Sequence, residues 1–529
     1  MTTTTAVAGA PPRAAGQVRP RRAAGWRAWA VRVGLVLVLG LLVKEPELLL
    51  PIGPDQGTYS YVAERILDGG LPYVDAWDNK PPATYYVHAA VLALVPRAVH
   101  WSGTCIPGAN QPCGYLALQL ADVVWTLAST LLVLAVARQL GLGALGSTLG
   151  MLLFAVFANL SQLSKEGPTP EKQLILPMLL AYLLVLRGRP GPAGVAAGVA
   201  FLFKQTAISI PLALGAWWLW EHRSVRWASV ARFGAGYLVP LGLVAGYFAW
   251  RGGLGALWEA TFAYNAVQAG TDPLRVPYGL LAGSWHVFSN SSALLWLVGL
   301  GGALRVLGTG RPRLLVCWAA ADALSLCLGG SKFAQVYYVQ LVPSLALLGG
   351  LGVAWCWQAT RQQRLVRGYV AVVAAAVFVL SNQFQASVAL RAWNERTPGR
   401  SSVPFEAQLA QRFGPDQRGG AAAPLFVWGD NAEVYLYAGA RAPGRFFQTF
   451  ALSGVYAGRG FVERRAELLR SFQGQPPAII AIDPATQRDD PDGRLGLNPS
   501  SFPELQALLA QQYVPLEGIG NGWQAFRRR

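Results

Sequence analysis

The residues best equipped for chemistry crowd into one stretch, Pro54 to Pro82, which reads P-D-Q-G-T-Y-S-Y-V-A-E-R-I-L-D-G-G-L-P-Y-V-D-A-W-D-N-K-P-P. A carboxylate such as Asp55, Asp75 or Asp78 can orient a hydroxyl and take its proton, and an ammonium such as Lys80 can hold an anion. Tyr73 and Trp77 add rings that stack on sugars or anchor a loop among headgroups. Further along, Glu171 stands in a short polar loop, Lys204 separates two apolar runs, and Lys332 precedes a further run, Phe333 to Trp357, that contains Tyr337. A lysine between apolar runs is costly unless it faces a cavity or a partner.

The elements that must position these groups are membrane helices. Of 529 residues, 53% are hydrophobic and only 13% charged, and 19 Trp with 18 Tyr supply amphipathic rings. The balance of 44 basic against 27 acidic residues, +17, would suggest nucleic acid in a soluble chain. Here the basic residues fall mostly in short loops and read as topology, so no nucleic-acid partner is expected. Residues 1–25 form a basic, Thr/Ala/Pro-rich cytoplasmic tail, and Val33 to Val43 is an uncleaved first helix.

Asp55 follows that helix. Tyr59, Val62, Ala63, Ile66 and Leu67 at helical spacing predict a helix in the interface plane, its Glu64, Arg65 and Asp68 in water, ended by Gly69-Gly70. Ala83 to Val95 is read as re-entrant or interfacial, because Tyr115 to Ala137 must enter from outside for Arg138 to be cytoplasmic. Alternating basic loops then give roughly eleven crossings, through Gly143–Leu160, Leu174–Leu186, Gly194–Phe203, Ala207–Trp220, Phe233–Trp250, Tyr278–Leu304, Leu314–Leu328, Phe333–Trp357 and Gly368–Val388. The fold class predicted is a polytopic α-helical membrane protein. Residues 26–390 form its membrane domain with a first outer loop at 51–82. An odd number of crossings places 391–529 outside the cell, as a small α/β domain with strand-like runs at Pro424–Trp428 and Ala478–Ile482 and helix-like runs at Val462–Phe472 and Phe502–Tyr513. Cys105 and Cys113 share an outer loop, where oxidising conditions allow a disulfide. The protein is expected to be multi-pass in the plasma (inner) membrane, with its N-terminus cytoplasmic.

Several motifs carry nothing. Gly141 to Gly146 matches G-x-G-x-x-G but joins two apolar runs with no strand before it. His88, His100, His222 and His286 have no ligand spacing.

Taken in order, D-x-x-x-Y at Asp55 and Tyr59, P-Y-x-D-x-W-D-x-K-P-P at Pro72 to Pro82, P-E at Pro170-Glu171 with Pro177, and G-V-A-F-L-F-K ending at Lys204 form a series. It continues with Y-Y-V-Q-L-V-P at Tyr337 to Pro343 and W-G-D-N-A-E-V-Y-L-Y-A-G followed by Arg445. This series resembles the lipid-linked-sugar glycosyltransferases of the GT-C fold, in particular the protein O-mannosyltransferase and aminoarabinose transferase branch (glycosyltransferase family 39-like). The resemblance covers most of the chain. It implies transfer of a sugar from a polyprenyl phosphate to an outer acceptor hydroxyl, on a protein, a lipid or a glycan. It assigns Asp55 as general base, Lys80, Lys204, Lys332 and Tyr337 to the donor phosphate, and Tyr59, Trp77, Asp78 and Glu171 to acceptor or sugar. No cofactor is required by that chemistry, and Asp55 and Glu171 are the carboxylates a divalent cation could use. A lipid or glycan transporter would share the helices and lysines but need no base, and a polymerase or ligase would use a pyrophosphate-linked donor.

Overall fold

The computed structural model describes residues 22–101, 105, 111–165, 167–221, 227–269, 275–310, 312–329, 333–396, 405–413, 424–453, 460–487 and 498–529. Lys332, one of the expected phosphate ligands, lies outside these described residues, as does His222.

The chain opens with α1 (Arg22–Lys44), α2 (Pro54–Leu67) and α3 (Ala83–Leu92), then the pair α4 (Cys113–Gln139) and α5 (Gly143–Phe157). Two single turns, α6 (Ser161–Ser164) and α7 (Pro170–Gln173), make up most of a second loop before α8 (Ile175–Leu186), α9 (Pro190–Phe203), α10 (Ser209–Glu221) and α11 (Trp227–Trp250). Next come α12 (Leu254–Trp258), α13 (Tyr264–Ala269), and α14 (Arg275–Val287) running through a wide turn into α15 (Ala293–Thr309). The helical part ends with α16 (Arg313–Ser325), α17 (Val342–Ala359), α18 (Arg364–Ser381) and α19 (Gln383–Arg396).

Among the described residues, five helical stretches are long and apolar enough to cross a membrane: Cys113–Gln139, Trp227–Trp250, Val276–Thr309, Gln335–Ala359 and Arg364–Ser381. Shorter apolar helices include α5 and α9. Large side chains such as Leu238, Leu243, Leu300, Leu304 and Val372 point outward from these helices, the surface a lipid phase would cover. Helices meet through small residues. A Cβ on Gly194 of α9 would sit 2.0 Å from the Phe233 carbonyl of α11, and one on Gly302 of α15 would sit 1.9 Å from the Leu348 carbonyl of α17. Only glycine lets these backbones approach so closely. With ten residues, α3 is too short to cross.

The C-terminal domain consists of α20 (Phe405–Phe413), β1 (Leu425–Trp428), α21 (Glu433–Ala438), α22 (Phe461–Gly474), β2 (Ile479–Ile482), α23 (Pro503–Gln512), β3 (Tyr513–Leu516) and β4 (Gln524–Arg528). Its sheet has the order β1-β2-β4-β3, with β1 parallel to β2 and the other neighbours antiparallel. The last two strands were not anticipated: β3 (Y-V-P-L) follows directly on α23 and contains a proline, and β4 (Q-A-F-R-R) is mostly polar.

This domain shares one apolar core with α2, α3 and the first loop, and that corrects the expected one-sided α2. Gln56 through Ala63 are all buried. Tyr61 packs on Tyr435 and Phe447, with ring centroids 5.1 and 4.3 Å away, and Gln448 donates to the Thr58 hydroxyl. Asp68 stays exposed, as expected, and pairs there with Arg97 at 2.8 Å and Arg441 at 2.7 Å. The turns from Gln56 to Ala63 are covered by a domain more than three hundred residues downstream, whereas Glu64 and Arg65 are half-buried.

Candidate active site

Asp55 stands in the first turn of α2, which Pro54 starts from an extended Gly53 and which Gly69, at φ +86°, ends. The first loop that follows is tied to itself. Leu71 N–H donates to Asp75 Oδ2 at 2.6 Å, and Tyr73, at φ +71°, donates its N–H to the Ala76 carbonyl at 2.7 Å. The Tyr73 hydroxyl then donates to the Lys80 carbonyl at 2.7 Å, and Asn265 Nδ2 donates to the Asn79 carbonyl at 2.9 Å. Pro81 and Pro82 keep the preceding backbone extended. Lys80 is thus placed by its backbone on every side.

Two cavities meet at that lysine. One, of ≈ 200 Å³, is polar and lined by Asp55, Thr58, Tyr59, Asp78, Asp430 and Gln448 among others. The other, of ≈ 470 Å³, is mostly apolar and lined by Phe201, Phe262, Leu326 and Leu328 together with Lys204 and Tyr337. Asn79 and Lys80 line both. Lys80 Nζ donates to the neutral Asn79 Oδ1 at 2.7 Å, and among the described residues no carboxylate lies within ion-pair distance of it. Burial would pull the Lys80 ammonium down, but Asp78, Tyr337, Asp55 and Glu171 outweigh it and hold it above the ordinary lysine value. It stays charged.

The other lysines are engaged. Lys204 adopts an extended backbone that breaks α9 from the turn leading to α10. Its Nζ contacts Glu171 Oε1 at 2.5 Å and lies 3.5 Å from the centre of the Tyr337 ring. Glu171 is positioned by α7, whose start is capped by the Thr169 side chain. Burial would raise its carboxyl, yet Lys204 and Lys80 hold it below the usual range. On the far side of α7, Lys172 reaches the buried Asp122 at 2.5 Å. In the same loop Lys165 reaches Asp55 Oδ2 at 2.5 Å. Sequence reasoning did not single out Lys165; its only signal was a basic residue in a short loop close to the candidate site. It also did not weigh Asp430 or Gln448 individually, because nothing local shows that the distal domain closes the polar cavity.

The remaining expectations separate. Tyr59 and Asp78 line the polar cavity, and Asp78 accepts from the Tyr85 hydroxyl at 2.7 Å. Trp77 does not line it. Its ring is 1% exposed, enclosed by Tyr264, Phe446 and Phe450, with Nε1 donating to Glu259 at 3.1 Å. No face is left for a sugar to stack on, so the expected sugar-binding role is replaced by one in docking the loop to the C-terminal domain. Asp55 and Glu171 each hold a lysine ammonium instead of converging on a shared cation, and no cluster of three metal-ligating side chains occurs among the described residues. Cys105 and Cys113 are joined, their Cα atoms 5.0 Å apart.

No family model matches the chain, and no curated protein does either. Solved structures do. ArnT from Cupriavidus metallidurans bound to undecaprenyl phosphate superposes with a TM-score of 0.53 at 17% identity, covering 95% of this chain and 98% of that one. Its apo state gives 0.54 at 16% identity over the same shares. The apo oligosaccharyltransferase of Archaeoglobus fulgidus gives 0.51 at 12% identity, covering 94% of this chain and 74% of that one. The chain has the GT-C fold of these glycosyltransferases.

Proposed function

We propose that this protein is an integral-membrane glycosyltransferase that moves a sugar from a polyprenyl phosphate to an acceptor hydroxyl on the extracytoplasmic side. The observation that carries this reading is Lys80, a charged ammonium without a carboxylate partner among the described residues, at the junction of a polar and an apolar cavity. A lipid-linked phosphate has this dual character: an apolar chain suits the larger cavity, the sugar suits the smaller one, and the anion between them meets Lys80. The likeness to a structure bound to undecaprenyl phosphate supports the same lipid class.

In the step proposed, Asp55 accepts the acceptor's O–H proton as its oxygen bonds to the anomeric carbon. The anomeric carbon–phosphate oxygen bond breaks, its electron pair leaving with the phosphate. Lys80 and Lys204 stabilise the charge that develops there, and Tyr337 orients Lys204. Help of this kind from a base contributes about 10² to 10⁴ in rate. Tyr59 and Asp78 line the cavity assigned to the sugar and acceptor, and Glu171 acts beside it through its pair with Lys204.

The test uses purified full-length protein with radiolabelled undecaprenyl phosphate and undecaprenyl pyrophosphate sugars. Transfer from the monophosphate donor is expected, lost in Asp55→Asn with donor binding retained and in Lys80→Met with donor binding weakened. Transfer from the pyrophosphate donor alone, or lipid movement that survives Asp55→Asn, would overturn the reading.

A further inference from the structure

The proposed step moves charge in two places at once. A sugar phosphodiester carries one negative charge and the departing phosphate monoester carries two, while Asp55 goes from anionic to neutral as it takes the proton. A cation paired with Asp55 at rest therefore loses its partner as a new one forms nearby.

Lys165 is that cation. Its ammonium lies 2.5 Å from Asp55 Oδ2, and both side chains are close to half exposed, at 47% and 43%. Exposed pairs of this kind are weak, about 0–1 kcal/mol. The Lys204–Glu171 pair, by contrast, is 11% and 5% exposed, and separating a buried pair leaves a charge stranded. Lys165 is free to change partner and Lys204 is not. The backbone that carries Lys165 is fixed: φ +52° and ψ +42° put it in the left-handed region, and Gln56 Nε2, from the residue after Asp55, donates to its carbonyl at 2.8 Å. A non-glycine residue persists there only where its surroundings impose it.

The loop is anchored at both ends by buried charge. Glu47 accepts from the Ser161 and Ser164 hydroxyls at 2.7 and 2.9 Å, and Asp122 holds Lys172. Lys44 reaches both carboxylates. A change of partner needs only the four-carbon stem of Lys165 to turn. It is also close enough to Lys80 for their charges to repel, a repulsion that an anion between them would relieve.

We propose that Lys165 is a further catalytic residue that follows the charge, neutralising Asp55 in the resting site and passing to the leaving phosphate as Asp55 takes the acceptor's proton. This rests on the reading of Asp55 as base and of polyprenyl phosphate as the leaving group.

The experiment measures, at pH 8, the affinity of full-length protein for undecaprenyl phosphate, a dianionic monoester, and for its methyl ester, a monoanionic diester. Lys165→Met should weaken the monoester about 10- to 100-fold, the worth of one charge-assisted hydrogen bond, and the diester only a few-fold. Lys165→Arg should keep most of the monoester affinity, which separates a lost charge from a misfolded loop. Asp55→Asn, which frees Lys165, should tighten monoester binding in the wild-type background and not in Lys165→Met. Equal weakening of both probes, no weakening, or tightening by Asp55→Asn that persists without Lys165 would overturn the proposal while leaving the donor reading intact. Wild-type protein that binds neither probe would overturn the donor reading itself.

Discussion

The ammonium of Lys204 lies 3.5 Å from the centre of the Tyr337 ring, at the wall of the apolar cavity. The ring, more than the hydroxyl, holds the lysine. Tyr337→Phe should therefore bind undecaprenyl phosphate within about twofold of wild type, and Tyr337→Leu about 2- to 30-fold more weakly, the range of a cation–π contact. Equal loss in both variants would mean that the hydroxyl carries the effect.

Behind that contact, Gln340 joins the Tyr337 segment to the break that follows Lys204. Its Oε1 accepts from Thr206 at 2.6 Å, and its Nε2 donates to Ser209 Oγ at 2.9 Å and Asp322 Oδ1 at 3.0 Å. Gln340→Leu leaves the Thr206 hydroxyl without this acceptor, at about 1–3 kcal/mol, while Ser209 and Asp322 keep their bond to each other. It should lower the unfolding temperature in detergent by several degrees and weaken transfer, whereas Asp322→Asn, which keeps the accepting oxygen, should do less. A Gln340→Leu protein as stable as wild type would show the network to be dispensable.

Glu433 links stability to pH. Burial in α21 pushes its carboxyl from 4.5 up to about 8. The folded chain binds this proton more tightly than the unfolded chain, so its contribution is complete below pH 4.5 and is lost as pH rises towards 8. Unfolding temperatures taken from pH 5 to 8 should fall for wild type and fall less for Glu433→Gln. Parallel curves would remove Glu433 as the cause.

Gly57 marks where α2 meets the C-terminal domain. A Cβ there would sit 2.9 Å from Glu433 Oε2 and 3.0 Å from Glu433 N. Gly57→Ala should expose the domain junction to limited proteolysis and reduce transfer, because Asp430 and Gln448 then withdraw from the polar cavity. An unchanged cleavage pattern and full activity would show that the seam yields without consequence.

The helical membrane architecture and the segments bearing Asp55, Lys80, Glu171 and Lys204 were legible in the sequence, because hydropathy and basic loops are local patterns that the bilayer imposes directly. Carboxylates and ammonium groups at the ends of apolar runs likewise announce themselves by their cost. Pairing is different. Which lysine meets which carboxylate depends on how distant loops fold over one another: Lys165 reaches Asp55 across 110 residues, and Gln448 reaches Thr58 across 390. Only packing decided that Trp77 is sealed inside the domain junction, that α2 is buried all round from Gln56 to Ala63, and that Lys80 is left facing both cavities. Hydrophobicity is written residue by residue, but the partner of a charge is set by three-dimensional proximity, which no single stretch of sequence contains.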